Sequence, residues 1–356
     1  MITTTSTKSR ILPLQALHPG NFALVMASGI ISIGLHIQHQ EWLSDAFCAF
    51  AIVAWLCLLA LSLVRLIRFS SAVRIDLLNP RLVFSFFTLV AATDIVGLLL
   101  QERGYETLAI ACWFMAFTAW CLLLYLAFSV LTFLTHENNV NIIHGGWLIL
   151  IVGTQSLVLL GVKIAPNLGE YAVHMMVEVH MLWGLGLMFY GIFVTLFCYR
   201  IFFLRLRPQD VSPLLWVTMG AAAISANAGT SLLMEDSHLS FLEMQRPFIV
   251  GVTMMIWGWG TWWIPMLVLF SFWKHIINRL PLTYEPIWWS LVFPLGMYSV
   301  ASARLGLAAE FPPLQWIAEL ALWVALGAWT VVLFGLFKQL WRLMTGTPKP
   351  VATRTP

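Results

Sequence analysis

Charge is what this sequence has least of. Only 10% of its 356 residues are Asp, Glu, Lys or Arg, against about 25% in an average soluble domain. A water-soluble fold of this length could not cover its surface with so few. Polar stretches are lacking as well. From about residue 20 to residue 342 no hydrophilic segment separates two composition regimes, so a single domain is expected. No small-x-small cleavage site follows the first apolar run, so that run is expected to remain as a span. The five cysteines (Cys48, Cys57, Cys112, Cys121 and Cys198) sit inside apolar segments, with no Cys-x-x-Cys pair and no His at metal-ligand spacing. They read as small hydrophobes. No metal, no cofactor and no catalytic group is expected, and the chain is not read as an enzyme.

What the chain has is length of apolar run. A helix needs about 20 apolar residues to cross a bilayer, and ten segments qualify: 20–38, 45–66, 81–100, 107–134, 145–163, 172–203, 213–233, 247–275, 287–307 and 315–341. Strands are excluded, because the runs are too long and do not alternate. With the N-terminus in the cytoplasm, 15 of the 19 Lys and Arg fall on the inner side. Only Arg103, Lys163, Arg246 and Arg304 fall outside, among acids that include Glu41, Asp45, Glu102 and Glu235. This asymmetry follows the positive-inside rule, and places both ends in the cytoplasm of a cell (inner) membrane. The net charge of +3 then reflects anchoring at an anionic leaflet rather than contact with nucleic acid. The expected organisation is a tail at 1–18, a ten-helix membrane domain at 19–342 and a Pro/Thr-rich tail at 343–356.

Odd-numbered spans begin at near-regular intervals of sixty to seventy-five residues, the mark of a repeated helical hairpin. Odd spans are rich in small residues, as in Met-Gly-Ala-Ala-Ala-Ile-Ser-Ala-Asn-Ala-Gly-Thr-Ser at 219–231, and even spans are rich in aromatics. Small side chains allow close helix approach or leave room for a lumen; bulky rings suit lipid. The expected fold is therefore all-α: five hairpins around a central pore lined by odd-numbered helices. Tight packing without a lumen is the alternative.

Polar residues of the odd spans are the candidate lining: Ser28, Thr154, Gln155, Ser225, Asn227 and Ser299, whose hydroxyls and amides could replace part of an ion's hydration shell. A single hydroxyl is as easily absorbed by its own helix. Asp94 is either a structural acceptor or a proton carrier. No Lys or Arg is placed at mid-depth. Pro294 in span 9 removes a backbone bond and predicts a kink, which would push Phe293 toward the centre, where a ring could gate by rotamer change or dewetting. His144, His174 and His180 keep open a distant alternative, a haem-binding membrane redox protein.

Three stretches carry a family resemblance. WWSLVFPLGMYSVAS at 288–302 resembles the ninth-helix motif of the tellurite-resistance/dicarboxylate transporter family, which includes plant slow-type anion channels, bacterial TehA, malate permeases and fungal sulfite exporters. HPGNFALVMASGIIS at 18–32 and TWWIPMLVLFSFWKH at 261–275 resemble its first- and eighth-helix patterns. The resemblance implies a pore closed by Phe293, with Gly29 in the small-residue stretch facing it, and a homotrimer with one pore per subunit. It implies transport of small anions: monovalent inorganic anions through a neutral channel, or alternatively tellurite, malate (a C4-dicarboxylate) or sulfite through a proton-coupled carrier.

Overall fold

The computed structural model describes residues 14–134, 143–236 and 239–345. Lys8, Arg10, Lys349 and Arg354, and all but the edges of the two expected tails, lie outside the described residues. Among those described there is no strand. Five shorter helices are α1 (Ala23–Ile37), α3 (Phe87–Glu102), α5 (Ile149–Ile164), α7 (Val217–Met234) and α9 (Trp289–Ala308). Five longer ones alternate with them: α2 (Glu41–Arg68), α4 (Glu106–Ser129), α6 (Ala172–Phe203), α8 (Arg246–Phe272) and α10 (Pro313–Thr345). Among the described residues nine helical stretches are long and apolar enough to cross a membrane, and one of them, Gly145–Phe203, contains both α5 and α6. Gly169, at φ 55, breaks that stretch into its two helices; a side chain there would be strained.

The two sets of helices differ in depth. The apolar windows of α1, α3, α7 and α9 are 72–89% buried, while those of α2, α4, α8 and α10 are only 17–28% buried. Contacts explain why. The shorter helices form a closed ring in which α1 touches α3, α3 touches α5, α5 touches α7, α7 touches α9, and α9 returns to α1. Each longer helix packs outside this ring against the shorter helix that precedes it. The outer surface exposes Trp42, Leu122, Tyr125, Phe203, Val331 and Phe334 among many other large apolar side chains. Water does not tolerate so much contiguous apolar area; a bilayer does, and the architecture fits a multi-pass integral membrane protein.

Span limits match the apolar runs closely, but the ring helices do not start as α-helix. Each begins with a 3-10 turn: Pro19–Phe22, Val83–Phe86, Gly145–Leu148, Pro213–Trp216 and Pro286–Trp288. Proline supplies the first residue of three of them, where its fixed φ is already helical and its missing N–H costs nothing. Histidine caps two of the five, Pro19–Phe22 and Gly145–Leu148, in a matching way. His18 Nδ1 accepts from Gly20 N at 2.9 Å, and His144 Nδ1 accepts from Gly146 N at 3.0 Å. The short helix Ser70–Leu77, between α2 and α3, was not legible in the apolar runs.

Candidate functional site

The five opening turns touch one another in the order of the ring and surround a single cavity of about 180 Å³. Every ring helix contributes to its wall, through His18, Arg81, His144, Ser212 and Ser290 among others. Five helix N-termini therefore converge on one space. Each carries unsatisfied N–H groups and the positive end of a dipole equivalent to about half a charge. Arg81 adds a full charge. This end of the ring is built to attract anions and to repel cations.

Along the ring axis, α9 carries the informative stripe. Phe293 is 3% exposed. Eleven residues on, after about three helical turns and some 16 Å of rise, Arg304 returns to nearly the same face. Met297 lies between them on that stripe and faces α7, where its sulfur contacts the Asn227 amide at 3.4 Å. α9 runs through Pro294 as one helix. Gly220 of α7 makes room for the proline ring: a Cβ there would stand 2.7 Å from Pro294 Cγ. Gly29 is a spacer of the same kind, between α1 and α3, where a Cβ would stand 2.3 Å from Ile95 Cγ2.

At the far end of the ring, Arg304 reaches three helices. Its Nη1 lies 3.4 Å from Asn227 Oδ1 and 3.4 Å from Ser231 Oγ, both on α7. Its Nη2 lies 3.9 Å from Glu102 Oε1 on α3. In the ring, α3 is next to neither α7 nor α9. The guanidinium therefore crosses the axis. Its side chain is 12% exposed, deeper than its count among outer-loop cations had suggested. The signal that could have found it is the eleven-residue spacing from Phe293.

Most of the other polar candidates are engaged by the outer helices, in a repeated pattern. At least one tryptophan of each outer helix donates its indole N–H to the ring helix that follows next in the chain, and α4 supplies two, Trp113 reaching the Leu157 carbonyl at 3.0 Å. Trp55 of α2 donates to Thr93 of α3 at 3.1 Å, and Trp120 of α4 to Thr154 of α5 at 2.9 Å. Trp183 of α6 donates to the Ser225 carbonyl of α7 at 3.0 Å, and Trp257 of α8 to Ser302 of α9 at 3.0 Å. Trp329 of α10 closes the circle on Ser28 of α1 at 2.9 Å. Ser299 donates to the Ala318 carbonyl of α10 at 2.6 Å, and Gln155 Nε2 donates to the Trp183 carbonyl of α6. Thus Ser28, Thr154, Gln155 and Ser299 bind the ring to the outer layer, the Ser225 hydroxyl is absorbed by its own helix at the Ala221 carbonyl, and helical spacing puts Phe293 on the stripe of α9 that carries Met297 and Arg304.

Asp94 is fully buried and joins α3 to α5. Its Oδ2 accepts from Ser156 Oγ at 2.7 Å, and its Oδ1 has no partner among the described residues. His144 uses both ring nitrogens, on Gly146 N and on the Arg81 carbonyl, and His180 Nδ1 is bonded to the Met176 carbonyl of its own helix. The three histidines do not come together as a facing pair, since His144 precedes the start of α5 and the other two sit in the first half of α6, which packs along the opposite end of α5, with Val179 against Gly161.

Comparison with known proteins agrees with this geometry. The family model described as SLAC1, voltage-dependent anion channel, matches residues 16–337. An uncharacterized membrane protein of Mycobacterium tuberculosis is 42% identical over 142 residues, covering 40% of this chain and 71% of its own. An uncharacterized transporter of Methanocaldococcus jannaschii is 22% identical over 321 residues, covering 88% of this chain and 91% of its own.

Proposed function

Because the chain belongs to the SLAC1 family of voltage-dependent anion channels, we propose that it conducts small monovalent anions along the axis of its five-helix ring, with Phe293 as the gate. The observation that carries this reading is the convergence of five helix N-termini and Arg81 on one cavity at the start of the ring. Field from aligned dipoles concentrates anions there without a tight site. Beyond that cavity Phe293 stands on the inward stripe of α9, where a rotamer change would open or close an apolar constriction. Binding that is favourable but weak lets an ion leave as readily as it arrives.

Proton-coupled carriage of malate or sulfite is the second reading. It draws on Asp94, a buried carboxyl with one hydroxyl partner. In either case the ring starts on the cytoplasmic side of the cell membrane, and three copies assemble with one pathway each.

The deciding measurement is flux in proteoliposomes of chloride, nitrate, sulfite and malate. Chloride and nitrate uptake should exceed malate uptake in the native protein, and Phe293→Ala should raise anion uptake several-fold. Unchanged uptake by a folded Phe293→Ala protein would remove the gate. Malate uptake that needs a proton gradient would favour the carrier.

A further inference from the structure

Four cations stand at the far end of the ring; Arg246 pairs with Glu243 beside it in the chain at 3.1 Å, and the other three are not alike. Arg103 holds Asp45 at 2.7 Å, and Lys163 holds Glu235 at 2.7 Å. Arg304, the most deeply placed of the three, has no acceptor so near. Its carboxylate lies at 3.9 Å and its two neutral acceptors at 3.4 Å. A guanidinium has five N–H donors and is strongly stabilised by acceptors at about 2.7–2.9 Å. A buried cation left this loosely coordinated is costly. Donors around it are also underused. Asn227 Nδ2 has only the Met297 sulfur at 3.4 Å, and the Ser231 hydroxyl receives Arg304 and donates to nothing among the described residues. Both residues are essentially unexposed, at 1% and 2%.

We infer that Arg304, Asn227 and Ser231 form a binding site for a small monovalent anion at the far mouth of the ring, with the Glu102 carboxylate as the built-in competitor that the anion displaces. The inference rests on the axial pathway proposed above, since the site lies across that axis. Donors from α7 and α9 converge on one point, and the only carboxylate facing it among the described residues comes from the opposite side of the ring, on α3. Charge sets the class of ligand. One guanidinium opposed by one carboxylate is neutral overall, and the other cations of this end are already paired, Arg103 and Lys163 at 2.7 Å and Arg246 with Glu243 at 3.1 Å. A monoanion adds a single negative charge beside Glu102. A dianion adds two, in a site where the described residues supply no second unpaired cation. Planar or spherical monoanions such as nitrate and chloride suit a guanidinium fork and two neutral donors.

The test uses the full-length protein purified in detergent. Sodium gluconate is replaced stepwise by sodium nitrate at constant ionic strength, and thermal unfolding is followed by tryptophan fluorescence. A ligand of the native state raises the unfolding temperature with a saturable dependence on its concentration. The native protein should give such a curve with nitrate and with chloride, and none with sulfate. Arg304→Gln should abolish it. Glu102→Gln should tighten the apparent Kd several-fold, because the competitor has lost its charge. Asn227→Ala should weaken binding several-fold. Should Arg304→Gln fail to fold, Arg304→Lys keeps the charge and loses the fork, and its apparent Kd should rise several-fold.

Nitrate binding that is unchanged in the folded Arg304 variant overturns the site. Weaker binding in Glu102→Gln overturns the role of competitor, and sulfate binding equal to nitrate overturns the monovalent class. Flux separates this inference from the one before it. Nitrate binding that depends on Arg304, without flux in any variant, sinks the pathway and leaves the site. Flux that responds to Phe293→Ala, with binding indifferent to Arg304, sinks the site and leaves the pathway.

Discussion

His144 is a neutral residue by construction. Its Nδ1 must carry a lone pair to cap Gly146, and its Nε2 proton goes to the Arg81 carbonyl. Burial holds its pKa down to about 4, the Arg81 carbonyl opposes the shift, and the charges of Arg200 and Arg81 add to it. Unfolded, the same imidazole titrates near 6.5. Between those values the unfolded chain binds a proton that the folded chain does not, so stability falls as pH drops from about 6.5 to about 4. His18, also held low by burial, contributes with the same sign. Asparagine caps helices well and cannot titrate. His144→Asn should therefore lose about 1 kcal/mol near pH 7.5, for the missing bond to Arg81, and should show a shallower fall of unfolding temperature between pH 6.5 and 4.5. An equal slope in both proteins would mean that another group sets the acid limb. The cap itself was invisible in the sequence, where His18 was one residue of a resembling stretch and His144 a candidate haem ligand. Arg304 escaped for a related reason: proximity to a loop in sequence says nothing about which way a side chain turns at a helix end.

At the scale of elements, the outer helices are tied to the ring by a rule of succession. Each binds its own hairpin partner by packing and the following ring helix by an indole hydrogen bond. Hydrogen bonds between membrane helices average about 0.6 kcal/mol and reach about 1.7. Trp120→Phe and Thr154→Val should each cost about that much, and the double variant should cost less than the sum. A coupling of zero in that cycle would mean that the 2.9 Å contact carries no energy. The glycine spacers are a harder constraint. Gly220→Ala would drive a Cβ against the rigid Pro294 ring at 2.7 Å, and overpacking of this kind costs about 1–3 kcal/mol. A variant as stable as the native protein would show that α7 and α9 can separate freely.

The extent of these helices was legible, because bilayer thickness imposes it on composition. The ties were not. Thr93, Thr154 and Ser302 accept from residues 38, 34 and 45 positions away, and Ser28 from one 301 positions away. The sequence displays the hydroxyls, but whether a hydroxyl faces an ion or an indole depends on which helix lies behind it.

For the whole molecule, the ring and its closure rest on contacts, and the sidedness rests on charge. Arg65, Arg68, Arg74, Arg81, Arg200, Arg205, Arg207, Lys274, Arg279, Lys338 and Arg342 all lie at the end where ring helices begin, while the other end holds Arg103, Lys163, Arg246 and Arg304. Moving the first group across a bilayer opposes the bias that orients spans during insertion. The first end should therefore be cytoplasmic. Since α10 returns to that end, with Gly335 packed on Tyr284 just before α9, the close of the last helix should be cytoplasmic too. Single cysteines at Glu106 and Lys338, both exposed, test this in a cysteine-free background. An impermeant maleimide added to intact cells should label Glu106→Cys, and should label Lys338→Cys only after permeabilisation. The reverse result would invert the protein in the membrane and exchange the two mouths. Labelling of both from outside would mean that these two sites share a face. Five hairpins around one ring would then be untenable, because Glu106 follows an odd crossing and Lys338 an even one.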